Sequence, residues 1–201
     1  MRMADRIDSY VSRGGVKLAA ALDRFSVDVT GGCAVDFGCN VGGFTDCLIQ
    51  RGAAQVFAVD TGYGVLAWTL RQDPRVVVLE RTNVLDEAPA SIVGFVDCDL
   101  VAIDVGWTRQ CRAILAGLRW LKPDIASRII SLVKPHYEAD PSMLKRGVLD
   151  DADAQVVFRR VLDQMPTFGV RVLDHMPSPL RGGAGKRKAG NVEYLVLLEA
   201  C

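Results

Sequence analysis

A glycine-rich turn joins an apolar run to a helical pattern within residues 35–52, VDFGCNVGGFTDCLIQRG. The apolar run predicts a strand that ends at Asp36, and the pattern from Phe44 onwards predicts a helix that Gly52 terminates. This arrangement presents backbone N–H groups and a helix N-terminus to a nucleotide-like ligand. Such a turn can also be purely structural. The spacing D-x-G-x-x-x-G-G differs from the fingerprint G-x-G-x-x-G, which disfavours a nicotinamide dinucleotide.

An acidic residue ends the next predicted strand. The run QVFAVD closes with Asp60, 24 residues after Asp36. An acid at the end of the second strand of such a unit accepts hydrogen bonds from ribose hydroxyls. Asp60 is therefore a candidate ribose contact.

Predicted strands and helices alternate along the chain. Short β-branched runs predict strands at residues 33–35, 55–60, 75–80, 99–104, 128–134, 170–176 and 193–199. Helical spacing predicts helices at residues 12–25, 44–51, 61–74, 111–120 and 151–165. The alternation predicts an α/β fold with a sheet of about seven strands.

The predicted helix at residues 151–165 has a polar start and an apolar face. Asp151 or Asp153 is the expected N-cap, because a carboxylate there accepts hydrogen bonds from free backbone N–H groups. The residues expected to face inwards are Val156, Val157, Val161 and Leu162.

Length and composition exclude several classes of protein. The 201 residues fit one domain, and no apolar run is long enough to span a membrane. The N-terminal residues MRMADRIDSYVSRGG lack the apolar segment of a secretory signal. The six cysteines stand singly and form no C-x-x-C pair, which predicts buried thiols rather than disulfides or zinc ligands. We therefore expect a cytoplasmic protein.

The charged residues sum to a net charge of zero, so composition gives no nucleic-acid signature. Two segments are nonetheless basic, one between Arg2 and Arg24 and the other the loop RGGAGKRK from Arg181 to Lys188. If the fold brings them to one face, they form a phosphate-binding patch. Otherwise they are two solvated surface runs.

Two charged residues end neighbouring predicted strands, namely Asp104 after DLVAI and Lys134 after RIISLV. Ligands of open α/β sheets bind beyond the carboxyl ends of the strands. The two residues are therefore candidates for a functional site, although a structural ion pair is the alternative. Lys17, in the predicted helix at residues 12–25, has the pattern of a solvated surface charge when it is considered alone.

Six blocks of the sequence resemble one known family. They are SRGGVKLAAALDRF, VDFGCNVGGFTD, QVFAVDTGYGVLAWTLRQDPRVVVLERTN, DLVAID, SLVKPHYE and GNVEYLVLL. In order and spacing they resemble the FtsJ-type ribose methyltransferases, most closely the TlyA-like (haemolysin A family) ribosomal RNA 2′-O-methyltransferases. The resemblance implies a class I methyltransferase (Rossmann-like) fold, with a mostly parallel seven-stranded sheet, helices on both faces and an antiparallel last strand. It implies one domain over residues 1–201, with a helical segment at 1–30 that carries Lys17.

The resemblance also implies the site residues. The family's catalytic set falls on Lys17, Asp104, Lys134 and Glu193. The implied binding residues for S-adenosylmethionine are Asp36, Gly38, Asn40, Gly42, Gly43, Phe44, Asp60, Thr82, Asn83 and Asp104. The methionine end is expected at the glycine turn, the ribose at Asp60 and the adenine near Thr82. Asp36 either reaches the methionine amino group or only braces the turn.

The implied chemistry is an in-line transfer of a methyl group to a ribose 2′-OH. Lys134, with its charge held by Asp104, would orient the oxygen and stabilise the developing alkoxide, and no metal is required. The expected partner is RNA, in particular ribosomal RNA, with no membrane partner. A methyltransferase for a non-RNA acceptor and a non-catalytic binding protein of the same fold are the alternatives.

Two features depart from the family pattern. The usual N-terminal S4 RNA-binding domain has no counterpart ahead of the Lys17 helix, and the loop RGGAGKRK is longer than expected. We hypothesise that this loop grips RNA phosphates through Arg181, Lys186, Arg187 and Lys188. Trp107, in the Val-Gly-Trp after Asp104, either stacks on a base or the cofactor or packs into the core.

Overall fold

The computed structural model describes residues 9–86, 97–183 and 190–201. Its strands are β1 (Cys33–Phe37), β2 (Gln55–Val59), β3 (Val76–Leu79), β4 (Leu100–Ile103), β5 (Arg128–Val133), β6 (Val170–Pro177) and β7 (Tyr194–Ala200). In the described residues they form one seven-stranded sheet in the order β3-β2-β1-β4-β5-β7-β6. The first five strands pair in parallel, and β7 runs antiparallel to β5 and β6. The predicted fold class is confirmed.

Helices cover both faces of the sheet. They are α1 (Arg13–Phe25), α2 (Gly43–Gln50), α3 (Trp68–Arg71), α4 (Gln110–Leu118), α5 (Pro135–Glu138) and α6 (Asp151–Gln164), with 3₁₀ turns at Pro141–Met143 and Met165–Phe168. The α1 and α2 helices pack on one face, while α4 and α6 pack on the other. Two hydrophobic cores therefore flank the sheet.

The central strands supply side chains to both cores. Val35 and Phe37 of β1 face the core beneath α4 and α6, whereas Ala34 faces the core beneath α1 and α2. All four residues of β4 are buried. Strands buried on both faces have continuous apolar sequences, which is why the sequence pattern identified them.

The chain order places a crevice at one edge of the sheet. From β1 the chain continues to β2 and β3 on one side, and it then crosses to β4 on the other side of β1. The carboxyl ends of β1 and β4, at Phe37 and Ile103, lie side by side at this reversal. Ligands of doubly wound sheets bind at such a switch point.

Three details of the helices differ from the sequence prediction. The helix expected over residues 61–74 is only the short helix Trp68–Arg71. The helix expected to reach Trp120 ends at Leu118, and the Trp120 ring instead packs edge-on against Phe37 with centroids 5.5 Å apart. The N-cap of α6 is Asp150, whose side chain accepts a hydrogen bond from Ala152 N. Asp151 and Asp153 lie inside the first turn instead, where negative charge still complements the helix dipole.

One residue predicted to face the core from α6 does not. Val157 and Val161 are buried, but Val156 is 67% exposed. Adjacent helical residues point about 100° apart, so the four-residue spacing that buries Val157 and Val161 turns Val156 towards solvent. The prediction for Val156 was wrong.

The described residues can be compared with the sequence-based expectations about disulfides, membrane spans and metal sites. All six cysteines are free. Cys39, Cys47 and Cys98 are buried as expected, but Cys33 and Cys111 are only partly buried and Cys201 is exposed. Within residues 9–86, 97–183 and 190–201, no helix is both long and apolar enough to cross a membrane. The same residues contain no cluster of three or more histidine, cysteine or acidic side chains arranged to hold a metal ion.

Candidate active site

A cleft of about 410 Å³ opens beyond the carboxyl ends of β1, β4 and β5. It brings together residues from segments far apart in the chain. The residues singled out from the sequence that line it are Lys17, Asp36, Gly38, Asn40, Gly43, Phe44, Asp104, Lys134 and Glu193.

A second cavity of about 260 Å³ continues this cleft along the sheet edge. The two cavities share four residues in their walls, Gly38, Asn40, Asp104 and Gly106. The further residues from the sequence analysis that line the second cavity are Asp60, Thr82, Asn83 and Trp107. Together the cavities form a groove with the glycine turn at its middle.

The glycine turn lies against the strand beside it. Gly38 has φ +84°, and a Cβ there would lie 2.8 Å from the backbone oxygen of Asp104. Gly42 has φ +104° and is the N-cap of α2, although it lines neither cavity. Both positions need glycine, because a side chain would be strained at each and at Gly38 would displace the neighbouring strand end.

The carboxylate of Asp60 holds the turn in place. Its Oδ2 accepts a hydrogen bond from Asn40 N at 2.9 Å, and its Oδ1 accepts one from Gly62 N at 2.7 Å. Each carboxylate oxygen can accept more than one hydrogen bond. Asp60 can therefore bind a hydroxyl group while it fixes the turn.

Asp36 lies fully buried at the floor of the cleft. Its Oδ2 accepts hydrogen bonds from Thr45 N at 2.8 Å and Thr45 Oγ1 at 2.7 Å, so the residue braces the start of α2. Its Oδ1 is buried without a partner among the described residues. Burial, aided by the negative charges of Asp104 and Asp60, raises the pKa of Asp36 to about 7.

Four charged residues form two ion pairs in the cleft. Lys17 Nζ lies 2.5 Å from Glu193 Oε2, and both side chains are buried, with 11% and 4% exposed. Lys134 Nζ lies 2.6 Å from Asp104 Oδ1 and donates a second hydrogen bond to the backbone oxygen of Val105 at 3.1 Å. The solvated-surface interpretation of Lys17 is wrong.

Local structure fixes where these side chains point. Ser12 caps α1 by accepting a hydrogen bond from Gly14 N, which places Lys17 in the buried second turn of that helix. Glu193 immediately precedes β7, and Lys134 follows β5 at the position before Pro135. Glu193 and Lys134 thus lie where a strand begins or ends, as expected for a site on an α/β sheet, whereas Lys17 reaches the cleft from within α1.

His136 and Tyr137, two aromatic residues that the sequence did not identify as site residues, also line the cleft. His136 Nδ1 is buried without a partner among the described residues. Burial, with the positive charges of Lys134 and Lys17, lowers the pKa of His136 to about 4, so the imidazole is neutral at physiological pH. The signal available was their place directly after Lys134 and Pro135.

Trp107 projects from the rim of the groove. It is 89% exposed, and its ring contacts the Tyr137 ring with centroids 5.1 Å apart. Its backbone has φ +57°, a conformation that is uncommon for a residue with a side chain. Packing of Trp107 into the core, one of the two alternatives, is excluded.

The basic loop is only partly within the described residues. Arg181 forms an ion pair with Asp151, with Nη1–Oδ1 at 2.9 Å, and also donates to the backbone oxygen of Gly190. Its charge is therefore already partnered at the base of the loop. Lys186, Arg187 and Lys188, like Arg2 and Arg6, lie outside the described residues.

Comparison with known proteins decides the family. The sequence profile of the FtsJ-like methyltransferase family matches residues 10–200, which is nearly the whole chain. The chain belongs to the FtsJ-like methyltransferase family. The cofactor of this family is S-adenosylmethionine.

Relatives within and around this family are similar over most of the chain. YqxC of Bacillus subtilis (strain 168) is 41% identical over 191 residues, which cover 94% of this chain and 65% of YqxC. The 16S/23S rRNA (cytidine-2′-O)-methyltransferase TlyA of Mycobacterium tuberculosis is 39% identical over 199 residues, which cover 98% of this chain and 70% of TlyA.

A solved structure supports the same relationship. A hemolysin-like protein from Streptococcus thermophilus superposes with a TM-score of 0.85 at 34% identity. The match covers 95% of this FtsJ-like chain and 67% of that protein. The resemblance stated from the six sequence blocks is confirmed.

Proposed function

We propose that this FtsJ-like chain transfers a methyl group from S-adenosylmethionine to a ribose 2′-OH of structured RNA, in particular ribosomal RNA. The observation that carries the proposal is the convergence of two lysine–carboxylate pairs, one buried and one partly buried, on the cleft beside the glycine turn. TlyA, a relative at 39% identity, is a methyltransferase of 16S and 23S ribosomal RNA. The proposal extends this substrate class to the chain described here.

The groove has features that suit the proposed cofactor. S-adenosylmethionine supplies an electrophilic methyl group on a positively charged sulfonium, and it also carries an ammonium group. The unpartnered Oδ1 of Asp36 is a buried acceptor that suits the ammonium group. The turn at Gly38 and Asn40 leaves space where a side chain would block close approach.

The other end of the groove suits an adenosine. Asp60 would accept hydrogen bonds from the ribose hydroxyls, as an acid at the end of the second strand does in nucleotide-binding folds. Thr82 and Asn83 line the same cavity and would lie near the adenine. On this assignment Asp36 has both suggested roles, because one of its oxygens braces Thr45 and the other faces the ligand.

Lys134 has one N–H left for the acceptor. A lysine ammonium group has three donors, of which one is given to Asp104 and one to the Val105 oxygen. The third can donate to a ribose 2′-oxygen, orient its lone pair towards the methyl group and stabilise the negative charge that develops there. Because Asp104 and the Val105 oxygen hold the ammonium group in place, this donor is preorganised.

Lys17 completes the polar surround of the acceptor. Its contact with Glu193 leaves further N–H groups free to face the cleft that both residues line. The neutral His136 offers a hydrogen-bonding edge in the same wall. Much of the rate acceleration would come from holding the hydroxyl and the methyl group in line.

Trp107 and Tyr137 favour a nucleic-acid acceptor. An exposed tryptophan at the rim of a catalytic groove offers a flat surface on which an RNA base can stack. We further propose that residues 1–201 act as one methyltransferase domain in the cytoplasm.

The test is transfer of labelled methyl groups from S-adenosylmethionine to total RNA, isolated ribosomal subunits and soluble protein. We expect label in ribosomal RNA or a subunit and its loss with Lys134→Met. Lys122→Met is the matched control, because Lys122 is exposed near the amino end of β4, whereas the cleft lies beyond the carboxyl end of that strand. Label in protein would favour a non-RNA acceptor, and cofactor binding without transfer to any acceptor would favour a non-catalytic protein.

A further inference from the structure

A strained basic turn stands next to the cleft. Lys145 and Val148 exchange two backbone hydrogen bonds, at 2.8 and 3.1 Å, around the two-residue turn Arg146-Gly147. Both turn residues have positive φ, +54° at Arg146 and +82° at Gly147, as in a type I′ turn. Asparagine, aspartate and glycine are the usual residues at the first position, and a non-glycine residue there costs about 1 kcal/mol.

One buried side chain fastens this turn to the cleft wall. Asn191 Nδ2 donates to the backbone oxygen of Gly147 at 3.0 Å, and Asn191 Oδ1 accepts from Leu149 N at 2.9 Å. Asn191 itself lines the cleft and lies two residues before Glu193. The turn is therefore held rigidly beside the Lys17–Glu193 pair.

The two cations of the turn are available to a ligand. Lys145 and Arg146 are exposed and form no ion pair with any residue of the described segments. Nearby Arg181 differs, because its guanidinium group is bound to Asp151 and to the Gly190 oxygen. The turn thus presents two charges without an ion-pair partner among the described residues, and it is fastened to Asn191, which lines the cleft.

We propose that the turn Lys145–Val148 binds the phosphate backbone of the RNA strand that carries the methylated nucleotide. The inference rests on the proposed function and deepens it, because it assigns a contact surface outside the catalytic cleft. Lysine and arginine side chains gain affinity for RNA by releasing condensed counterions from phosphates. A turn whose conformation is already fixed loses little entropy when it makes that contact.

The conformation of Arg146 supplies a discriminating variant. Arg146→Gly removes the charge but suits the positive φ, so it should leave the free energy of unfolding unchanged or raise it. Arg146→Lys keeps the charge. Lys145→Gln removes the second charge from a position where the backbone makes the same hydrogen bonds.

The experiment measures RNA affinity of the full chain against salt concentration, with ribosomal subunits or their RNA as the probe. For Lys145→Gln/Arg146→Gly we expect affinity to fall several-fold at low salt. We also expect the slope of log K against log salt to become shallower by about 1.4 to 1.8, since each phosphate contact contributes about 0.7 to 0.9. Arg146→Lys should leave the slope unchanged. The control variant Lys122→Gln/Arg171→Gln, which alters residues near the amino ends of β4 and β6, should also leave it unchanged.

The outcomes separate this inference from the proposed function. If the unaltered chain binds RNA and methylates it while the double variant keeps the same affinity and slope, the turn is not a phosphate contact. Affinity lost with an unchanged slope would also overturn it, because the loss would not be electrostatic. If the unaltered chain binds S-adenosylmethionine but neither binds nor methylates any RNA, the proposed function fails first.

Discussion

Lys17 and Glu193 form a buried ion pair at 2.5 Å although 176 residues separate them in the chain. The pair joins α1 to the start of β7 and forms one wall of the cleft. Gly182 packs against it so closely that a Cβ there would lie 1.9 Å from Glu193 Oε1. Segments from opposite ends of the described chain thus build the acceptor side of the site together.

Removal of one partner of this pair should destabilise the protein. Lys17→Met leaves the buried Glu193 carboxylate without its counter-charge, which we expect to lower the free energy of unfolding by about 3–5 kcal/mol. Denaturant titration measures the change. The double variant Lys17→Met/Glu193→Met should recover most of the stability but none of the methyl transfer. Recovery of transfer as well would show that the pair is only structural.

Asp36 should make stability fall as the pH rises. The pKa of Asp36 in the folded protein is raised to about 7, whereas an aspartate in the unfolded chain has a pKa of about 3.9. Protonation of Asp36 therefore stabilises the folded state. This stabilisation is fully present below a pH of about 3.9 and is lost as the pH rises through about 7. Between pH 4 and pH 8 the free energy of unfolding of the unaltered protein should fall by an amount on the order of a few kcal/mol because of Asp36, and Asp36→Asn should abolish this fall. Unfolding midpoints over this pH range measure it, and parallel curves for the two proteins would contradict the expectation.

Cofactor affinity should have the opposite pH dependence if Asp36 receives the ammonium group. The ionised form binds the cation, so affinity should rise about tenfold per pH unit below 7 and level off above it. Calorimetry in buffers of different ionisation enthalpy should detect one proton released on binding. Affinity that does not depend on pH would leave Asp36 with the bracing role alone.

His136 should lower stability as the medium becomes acidic. Its folded-state pKa, lowered to about 4 by burial and by two lysines, lies below the usual value of about 6.5. The neutral imidazole contributes fully to the free energy of unfolding above a pH of about 6.5, and this contribution is lost as the pH falls through about 4. The reason is that protonation of the buried imidazole is less favourable in the folded than in the unfolded state. His136→Gln should flatten this part of the unfolding curve. His175→Gln, which alters the exposed second histidine of the chain, should not.

Gly38→Ala should damage the site without unfolding the protein. Its Cβ would lie 2.8 Å from the Asp104 oxygen, so the end of β4 must shift and carry the partner of Lys134 with it. We expect at least a tenfold loss of both cofactor affinity and methyl transfer. Gly64→Ala is the matched control, because Gly64 also has positive φ, +72°, but has no atom near its Cβ position. Equal losses in the two variants would point to backbone strain rather than displacement of Asp104.

The sequence predicted the sheet well because its central strands are buried on both faces. Continuous apolar runs at β1, β4 and β5 also located the strand ends, and with them Asp36, Asp104 and Lys134. Lys17 is different, since its helical context resembles any surface lysine and only the family resemblance placed it in the site. Its partner lies 176 residues away, a separation that local patterns cannot span.

Other features depend on packing that the sequence does not encode locally. Val156 and Val157 are adjacent and identical in sequence, but the face of α6 that packs against the sheet includes only Val157. His136 and Tyr137 entered the site because the chain turns into α5 directly after Lys134. The turn at Arg146 was likewise invisible, because a positive φ at arginine contradicts local preference and depends on the distant Asn191.

The central claim is that the acceptor is a ribose oxygen of RNA. Ribosomal RNA methylated with labelled S-adenosylmethionine can be digested to nucleosides and separated, which distinguishes methyl groups on the ribose from those on the base. We expect label in a 2′-O-methylated nucleoside and no such label when Lys134→Met replaces the unaltered chain. Label in a base-methylated nucleoside, or in no nucleoside although the chain binds the cofactor, would contradict it.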